Sequence, residues 1–140
     1  MTITVDQIIS TIGLVGFGGI LKALFDYLVA ARKAKEDAKQ VLKETRYKAI
    51  LLICYALVYY DREETTLVIN RPDVNSKERL ENELNAEFIN MSLFGSDKVL
   101  TEMKKFILQK DSKAINDLAI AMRNDLFGIR TSLRSNHFDV

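Results

Sequence analysis

The side chains that most often carry catalysis or bind metals are nearly absent from this sequence of 140 residues. It contains one histidine, His137, close to its end, and one cysteine, Cys54, inside an apolar run. A zinc site needs several Cys or His ligands, and an activated nucleophile needs a neighbouring base. No Glu-x-x-His spacing of the kind that builds metal sites in helical bundles is present. We therefore expect no catalytic residue, no metal and no cofactor, and we expect Cys54 to be a buried, apolar side chain.

Four polar residues in the C-terminal half form a candidate structural motif: Ser96, Asp97, Arg123 and Asp125. Ser96 is a good helix N-cap, and Asp97 then lies beside the positive end of the helix dipole. Asp125 falls in the last turn of a later helix, where the dipole disfavours an anion. We therefore expect it to have a specific cationic partner, Arg46 or Arg130. A structural ion pair is the simpler interpretation, and a ligand site is the alternative.

An uncharged run, Ile8 to Leu21, is the main feature of the N-terminal part. Gly13, Gly16 and Gly19 are spaced three residues apart and form a smooth ridge on a helix, where another helix can approach closely. No strand precedes them and no G-x-G-x-x-G spacing is present, so a phosphate-binding loop is not expected. We hypothesise self-association through this ridge. The alternative is that glycine is only tolerated there, as in many membrane helices.

Charge is distributed unevenly along the chain. Residues 32–48 carry seven Lys or Arg against three Asp or Glu, whereas the residues after them carry twelve against fourteen. Basic residues that directly follow an apolar run are typical of the cytoplasmic end of a membrane helix. A nucleic-acid-binding protein would spread them over its folded domain, so no nucleic-acid partner is expected. We predict a membrane anchor over 1–31 and a basic juxtamembrane helix over 32–48. The chain would then cross the inner, cytoplasmic membrane once, with its N-terminus outside.

Five charged residues are expected at the membrane interface: Lys22, Asp26, Arg32, Lys33 and Lys35. Lys22 and Asp26 are four residues apart on one helical face, so they are expected to neutralise each other, with an ion or proton path as the alternative. The uncharged run has 14 residues, fewer than the roughly 20 that span a bilayer. A spanning helix must therefore include its flanks. The alternative is a soluble helix that is buried in an assembly.

No proline or glycine occurs between Ile20 and Tyr60, which allows one long helix. Its second apolar run, Ala49 to Tyr60, is apolar on every side and is expected to be buried on several faces. Asn70 and Pro72 mark a turn, and we predict a loop over 61–75. Tyr47 is among the tyrosines expected to place a ring in the core and a hydroxyl at its edge.

Three shorter helices are predicted after this loop. Their N-caps are expected at Asn75 or Ser76, at Ser96, and at Asp111 or Ser112, and Gly128 is a natural C-terminal cap. Their apolar stripes, at helical spacing, include Leu80, Leu84, Phe88, Met91, Val99, Met103, Phe106, Leu118, Met122 and Leu126. We predict an all-α protein in which an N-terminal transmembrane helix continues into a long helix, the hub of a four-helix cytoplasmic bundle. The bundle domain covers 49–128 and a tail covers 129–140.

Four short motifs support a resemblance: GFGGIL at 16–21, RYKA at 46–49, LFGSDKV at 93–99 and AMRNDLFG at 121–128. With these the chain resembles the widespread uncharacterised bacterial proteins that have a single N-terminal membrane helix and a small helical cytoplasmic domain. Asn124 departs from the basic residue expected there. The resemblance covers most of the chain except 61–75. It implies a topology and a fold, and no activity.

These features predict a membrane-anchored interaction or scaffold module that self-associates or binds a membrane protein, and that has no catalytic activity. One alternative is a ligand-sensing or regulatory bundle, which requires an apolar pocket with convergent polar groups, near Tyr55, Tyr59 and Arg123. Another is a soluble helical protein whose N-terminal apolar helix is buried in an assembly.

Overall fold

The computed structural model describes the backbone of residues 5–73 and 75–132, and the side chains of residue 19 and of residues 21–73 and 75–132. These residues form five α-helices and no strand: α1 Val5–Val58, α2 Tyr60–Asn70, α3 Lys77–Met91, α4 Asp97–Gln109 and α5 Ser112–Phe127. The predicted all-α class is therefore confirmed.

The chain divides into two compact units, residues 1–39 and residues 40–140. Among the described residues, the first unit consists of the N-terminal part of α1. Each of its described side chains, from residue 19 onward, is exposed. The second unit contains the C-terminal part of α1 together with the other four helices, and it holds the hydrophobic core.

The first helix is continuous over 54 residues. Proline and glycine are the residues that most often end a helix, and their absence after Ile20 correctly predicted this continuity. Regular helix is interrupted at Tyr59, where φ is −110° and ψ is 28°. The predicted apolar run, Ala49 to Tyr60, is therefore helical on both sides of a single break.

The loop predicted over 61–75 is wrong for most of its length, because residues 60–70 form α2. Asp61 and Glu63 lie in the first turn of α2, where the helix dipole favours acidic side chains. Leu67 packs against the core, and this contact outweighs the strand propensity of its neighbours. The helix ends at Asn70 because Pro72 disfavours helical geometry at the residue before it.

The core of the second unit is built from residues of four helices. α1 supplies six of the sixteen buried apolar residues, more than any other helix, and α2 supplies none. Most of the predicted stripes of the later helices are buried as expected. The buried apolar residues are Tyr47, Ile50, Ile53, Cys54, Ala56, Leu57, Leu80, Leu84, Met91, Val99, Met103, Phe106, Ala114, Leu118, Ala121 and Met122.

One side of the apolar run in α1 is nevertheless exposed. Leu52 has 70% of its surface accessible, and Ala49 and Tyr55 are exposed beside it. The expectation that this run is buried on several faces therefore holds only for the side that faces the core. The described helices cover the side that carries Ile50 and Cys54, and they leave the opposite side open.

The ends of the three later helices follow the local sequence signals. The side chains of Ser76, Ser96 and Asp111 each accept a hydrogen bond from the backbone N–H three residues later. Gly128 has φ of 64°, in the left-handed region, and its N–H donates to the carbonyl of Asn124. These contacts confirm the predicted caps. Residues 128–132 are not helical, and the rest of the predicted tail lies outside the described residues.

Candidate functional site

A carboxylate in the last turn of α5 is the centre of a polar cluster. Oδ2 of Asp125 accepts a hydrogen bond of 2.8 Å from Nζ of Lys43 and one of 2.5 Å from the hydroxyl of Tyr47, both on α1. The side chain of Ser96, the N-cap of α4, lies beside this carboxylate and helps to lower its pKa. The cluster therefore joins three helices through one side chain.

Tyr47 lies at the bottom of this cluster, with only 1% of its surface accessible. The backbone N–H of Ser96 lies close to the Tyr47 hydroxyl and opposes the rise of its pKa. The turn before Ser96 can come this close because Gly95 has no side chain. A Cβ atom on Gly95 would lie 3.0 Å from the carbonyl oxygen of Met91 and 3.5 Å from the Tyr47 hydroxyl.

The charges in the cluster are fixed by burial and by these hydrogen bonds. Burial raises the pKa of Tyr47 well above its ordinary value, and the bond to Asp125 raises it further. Burial opposes ionisation of Asp125, but the hydrogen bonds from Lys43 and Tyr47 outweigh it, so the pKa of Asp125 lies below its ordinary value. At neutral pH Asp125 is therefore a carboxylate and Tyr47 a neutral phenol.

The C-terminal end of α5 receives two donors from α1. Nε2 of Gln40 donates a hydrogen bond of 3.3 Å to the carbonyl of Leu126, next to the pair of Lys43 and Asp125. A cation is favourable at this negative end of the helix dipole. The expected cationic partner of Asp125 is thus present. Neither residue named for that role is the right one, since Arg46 pairs with Glu87 at 3.1 Å and the exposed Arg130 makes no ion pair within the described chain.

The predicted motif is brought together only in part. Ser96 and Asp125 meet in the cluster, whereas Asp97 and Arg123 are exposed and lie outside it. Sequence reasoning missed Lys43 as the partner. A usable signal was present, because Lys43 and Tyr47 are four residues apart and share a face of α1.

The cluster acts as a structural lock, because it holds helices together and offers no reactive group. A general base needs access to a substrate and a pKa near the working pH. Tyr47 is buried and protonated, and Asp125 is ionised and already accepts hydrogen bonds from Lys43 and Tyr47. The geometry therefore favours the structural ion pair over the ligand site.

Cys54 and the acidic side chains show no reactive arrangement either. Cys54 is fully buried, as predicted, and burial raises the pKa of its thiol to about 12. A buried thiol of this kind is not a nucleophile at neutral pH. Within the described residues, no three His, Cys, Asp or Glu side chains are placed to hold a metal ion.

An apolar groove of about 460 Å³ lies between α1, α2 and α3. Ala49, Leu52, Ala56 and Leu67 contribute apolar surface, and the lining is mostly non-polar. Its polar lining residues include Glu63, Glu83 and Arg71. Of the three residues named for a predicted pocket, Tyr55 lines this groove, while Tyr59 and Arg123 do not.

Two polar contacts hold α2 beside the groove. At its C-terminal end, Arg71 forms ion pairs of 2.8 Å with Asp73 and 3.2 Å with Glu83 on α3. At its N-terminal end, the guanidinium of Arg62 lies 4.6 Å from the centre of the Tyr59 ring, a cation–π distance. It also donates a hydrogen bond of 2.5 Å to the hydroxyl of Tyr55 on α1.

The predicted membrane residues are described only from residue 19 onward. Gly13 and Gly16 lie outside the described side chains, and Gly19 is exposed, with nothing within 4 Å of a Cβ added to it. The five predicted interface charges, Lys22 to Lys35, are all exposed. Lys22 and Asp26 are not among the ion pairs of the described chain, so their predicted mutual neutralisation is not seen. Within the described residues, no helix has a stretch that is both long and apolar enough to cross a bilayer.

Comparison of the chain with protein-family models, with curated proteins and with solved structures yields no match in any of the three. The resemblance to bacterial proteins with one membrane helix therefore stays a prediction. The function has to be argued from the residues and their geometry.

Proposed function

We propose that this chain is a membrane-tethered helical interaction module without catalytic activity. In this proposal, residues 1–31 anchor it in the cytoplasmic membrane with the N-terminus outside, and residues 49–128 form a four-helix bundle in the cytoplasm. Its partners are the lipid bilayer and either a second copy of the chain or another membrane protein. The observation that carries the proposal is a row of exposed apolar side chains on α1.

This row lies in the first unit, where every described side chain is exposed. Leu24, Phe25 and Leu28 have 54%, 68% and 51% of their surface accessible. Burial of a large apolar side chain is worth roughly 1.5–3 kcal/mol, and exposed contiguous apolar surface marks contact with a protein or a membrane. A bilayer that covers this part of α1 would supply that burial.

The charge distribution supports the same orientation. The uncharged run from Ile8 to Leu21 precedes the segment with a surplus of positive charge, Arg32 to Lys48. Positive residues are retained on the cytoplasmic side of membrane helices. The glycine ridge at Gly13, Gly16 and Gly19 supports self-association, because small residues let two membrane helices approach closely.

The test is fractionation of membranes from cells that express the full-length chain. We expect the protein to resist carbonate and to be released by detergent, with a mass that is a multiple of the 16.0 kDa chain. The matched variant Gly16→Leu/Gly19→Leu should stay attached to the membrane, and after detergent release it should have the mass of a single chain. Release by carbonate would overturn the anchor and would favour the soluble helical assembly.

The apolar groove favours a second candidate function, ligand sensing. Its volume of about 460 Å³ lies within the roughly 300–1,000 Å³ that is usual for small-molecule pockets. α2 borders it and contributes no buried residue, so a ligand that contacts Leu67 could shift the position of α2.

This candidate is tested with the fluorescent dye anilinonaphthalene sulfonate as an apolar probe. Dye emission should rise with the full-length chain and fall for Ala49→Phe, which fills the groove. Asn85→Phe adds the same ring at an exposed position of α3 outside the groove and should leave emission unchanged. Equal emission from both variants would remove the groove as a binding site.

A further inference from the structure

Apolar and basic residues share one side of α1 in the first unit. Leu21, Leu24, Phe25 and Leu28 follow the spacing i, i+3, i+4, i+7, so they lie on one side of the helix. Arg32, Lys35 and Lys39 continue the same series at i+11, i+14 and i+18. We call this the apolar–basic face; its apolar part precedes its basic part along the helix. All of its residues are exposed.

The opposite side of the helix has a different charge pattern. There Lys22 is followed by Asp26, and Lys33 by Asp37, each pair at the i, i+4 spacing at which opposite charges attract. These two pairs bring no net charge to their side. The first unit therefore separates a balanced side from a side with a surplus of positive charge.

That surplus is not compensated within the described chain. Lys35 and Lys39 are like charges at i, i+4, which repel each other, and Glu36 is the one acidic residue at the edge of the face. Neither lysine takes part in an ion pair of the described residues. An anionic partner would remove this repulsion.

We propose that the apolar–basic face binds the surface of a bilayer that contains anionic phospholipids. This inference rests on the proposed membrane tether and names the lipid class that it contacts: any spanning part of the anchor precedes Leu21, and residues 21–39 lie along the bilayer surface. Such a bilayer offers an apolar interior for Leu24 and Leu28 and phosphate groups for Lys35 and Lys39, about two to four helical turns further along. An acidic protein would satisfy the charges but would have to supply a matching apolar strip beside them.

The chain has no tryptophan, so one introduced tryptophan is a clean reporter. Leu28→Trp places it on the apolar–basic face, and Ala30→Trp places it two residues away on the opposite side. The full-length chain is added to vesicles of phosphatidylcholine with or without phosphatidylglycerol. We expect the emission of Leu28→Trp to shift to the blue with phosphatidylglycerol, and that of Ala30→Trp to stay at the water-exposed wavelength.

Charge variants in the Leu28→Trp background test the basic part. A basic residue next to an anionic surface strengthens binding by roughly fivefold. Lys35→Gln/Lys39→Gln should therefore raise the lipid concentration at half-maximal shift roughly thirtyfold. The matched control Lys22→Gln/Lys33→Gln removes two charges from the opposite side and should leave that concentration nearly unchanged.

The outcomes separate this inference from the anchor. The proposal that the apolar–basic face binds anionic lipid would be overturned by equal blue shifts for Leu28→Trp and Ala30→Trp. A shift that does not depend on phosphatidylglycerol would overturn it as well. Both conclusions hold even if the chain resists carbonate. A one-sided shift that depends on phosphatidylglycerol supports the face even if carbonate releases the chain. If both charge variants weaken vesicle binding equally, the effect is one of overall charge, and the proposal that this face binds anionic lipid is overturned. Binding of an acidic protein in place of vesicles would overturn it too.

Discussion

The hydroxyl of Tyr47 donates a hydrogen bond of 2.5 Å to Oδ2 of Asp125, across 78 residues of sequence. This bond connects α1, which supplies more of the core than any other helix, to the last turn of the final helix. Lys43 contacts the same oxygen at 2.8 Å, so two residues of α1 fix the end of α5. Because the cluster has no free reactive group, its contribution should be visible in stability.

Tyr47→Phe should lower the free energy of unfolding by about 2 kcal/mol, because a hydrogen bond to a charged, largely buried group is lost. Urea unfolding followed by circular dichroism measures it. Tyr55→Phe is the matched control, since its hydroxyl bonds to the exposed Arg62, and it should change stability little. Similar losses in both variants would mean that the cluster is not a lock.

Stability should fall at acid pH through Asp125. Its pKa is lowered from 3.8 in the folded chain, so its contribution is complete above the unfolded value and is lost as pH falls through the folded pKa. Asp125→Asn should therefore cost stability at pH 7 and progressively less below pH about 4. Asp73→Asn removes a fully exposed carboxylate whose pKa is also lowered, by Arg71, and should show a much smaller pH-dependent difference.

Gly95→Ala should destabilise the second unit by roughly 1–3 kcal/mol, because the new Cβ would lie 3.0 Å from the carbonyl of Met91. The thermal midpoint of the full-length chain measures this loss. At Gly19 the same methyl group meets nothing within 4 Å, so Gly19→Ala should not lower the midpoint. An unchanged midpoint for Gly95→Ala would contradict the close packing of this turn.

Cys54 should be unreactive in the folded chain. It is fully buried and its pKa is about 12, so very little thiolate is present at pH 8. A thiol reagent such as dithionitrobenzoate should label it only after urea unfolding. Fast labelling of the native chain at pH 8 would show that this part of the core opens readily.

The amides of α2 should exchange with solvent faster than those of α4. No residue of α2 is buried, whereas α4 buries Val99, Met103 and Phe106, and helices with few buried contacts open more readily. Arg71→Ala should speed exchange in α2 further without lowering the global midpoint, because its ion pairs are half-exposed. Lys105→Ala, which breaks a surface pair within α4, should leave α2 exchange unchanged.

Local signals were sufficient for much of this fold. Ser96 begins α4 and Gly128 ends α5 through contacts within three or four residues. Stripes such as Leu80 and Leu84 are buried at the spacing that predicts them. The partner of Asp125 could not be read in this way. Lys43 is 82 residues away, and several cations of the chain had suitable chemistry.

The wrong prediction of a loop over 61–75 has the same origin, a contact with residues that are distant in the sequence. α2 forms because Leu67 reaches a core that is assembled from other helices, and the turn signals at Asn70 and Pro72, which predicted a loop over 61–75, do not contain that contact. The open side at Leu52 likewise depends on how many helices surround α1, which an apolar sequence does not specify.

The lock at Asp125 also has a consequence for synthesis on the ribosome. A chain that grows at roughly 5–20 residues per second makes Lys43 about 4–16 s before Asp125, given the 82 residues between them. During that interval Tyr47 and Lys43 have no carboxylate to bind. A nascent chain that stops before Asp125 therefore lacks the contact that closes the domain, and its open apolar helix is a mark by which chaperones and proteases can recognise it as unfinished.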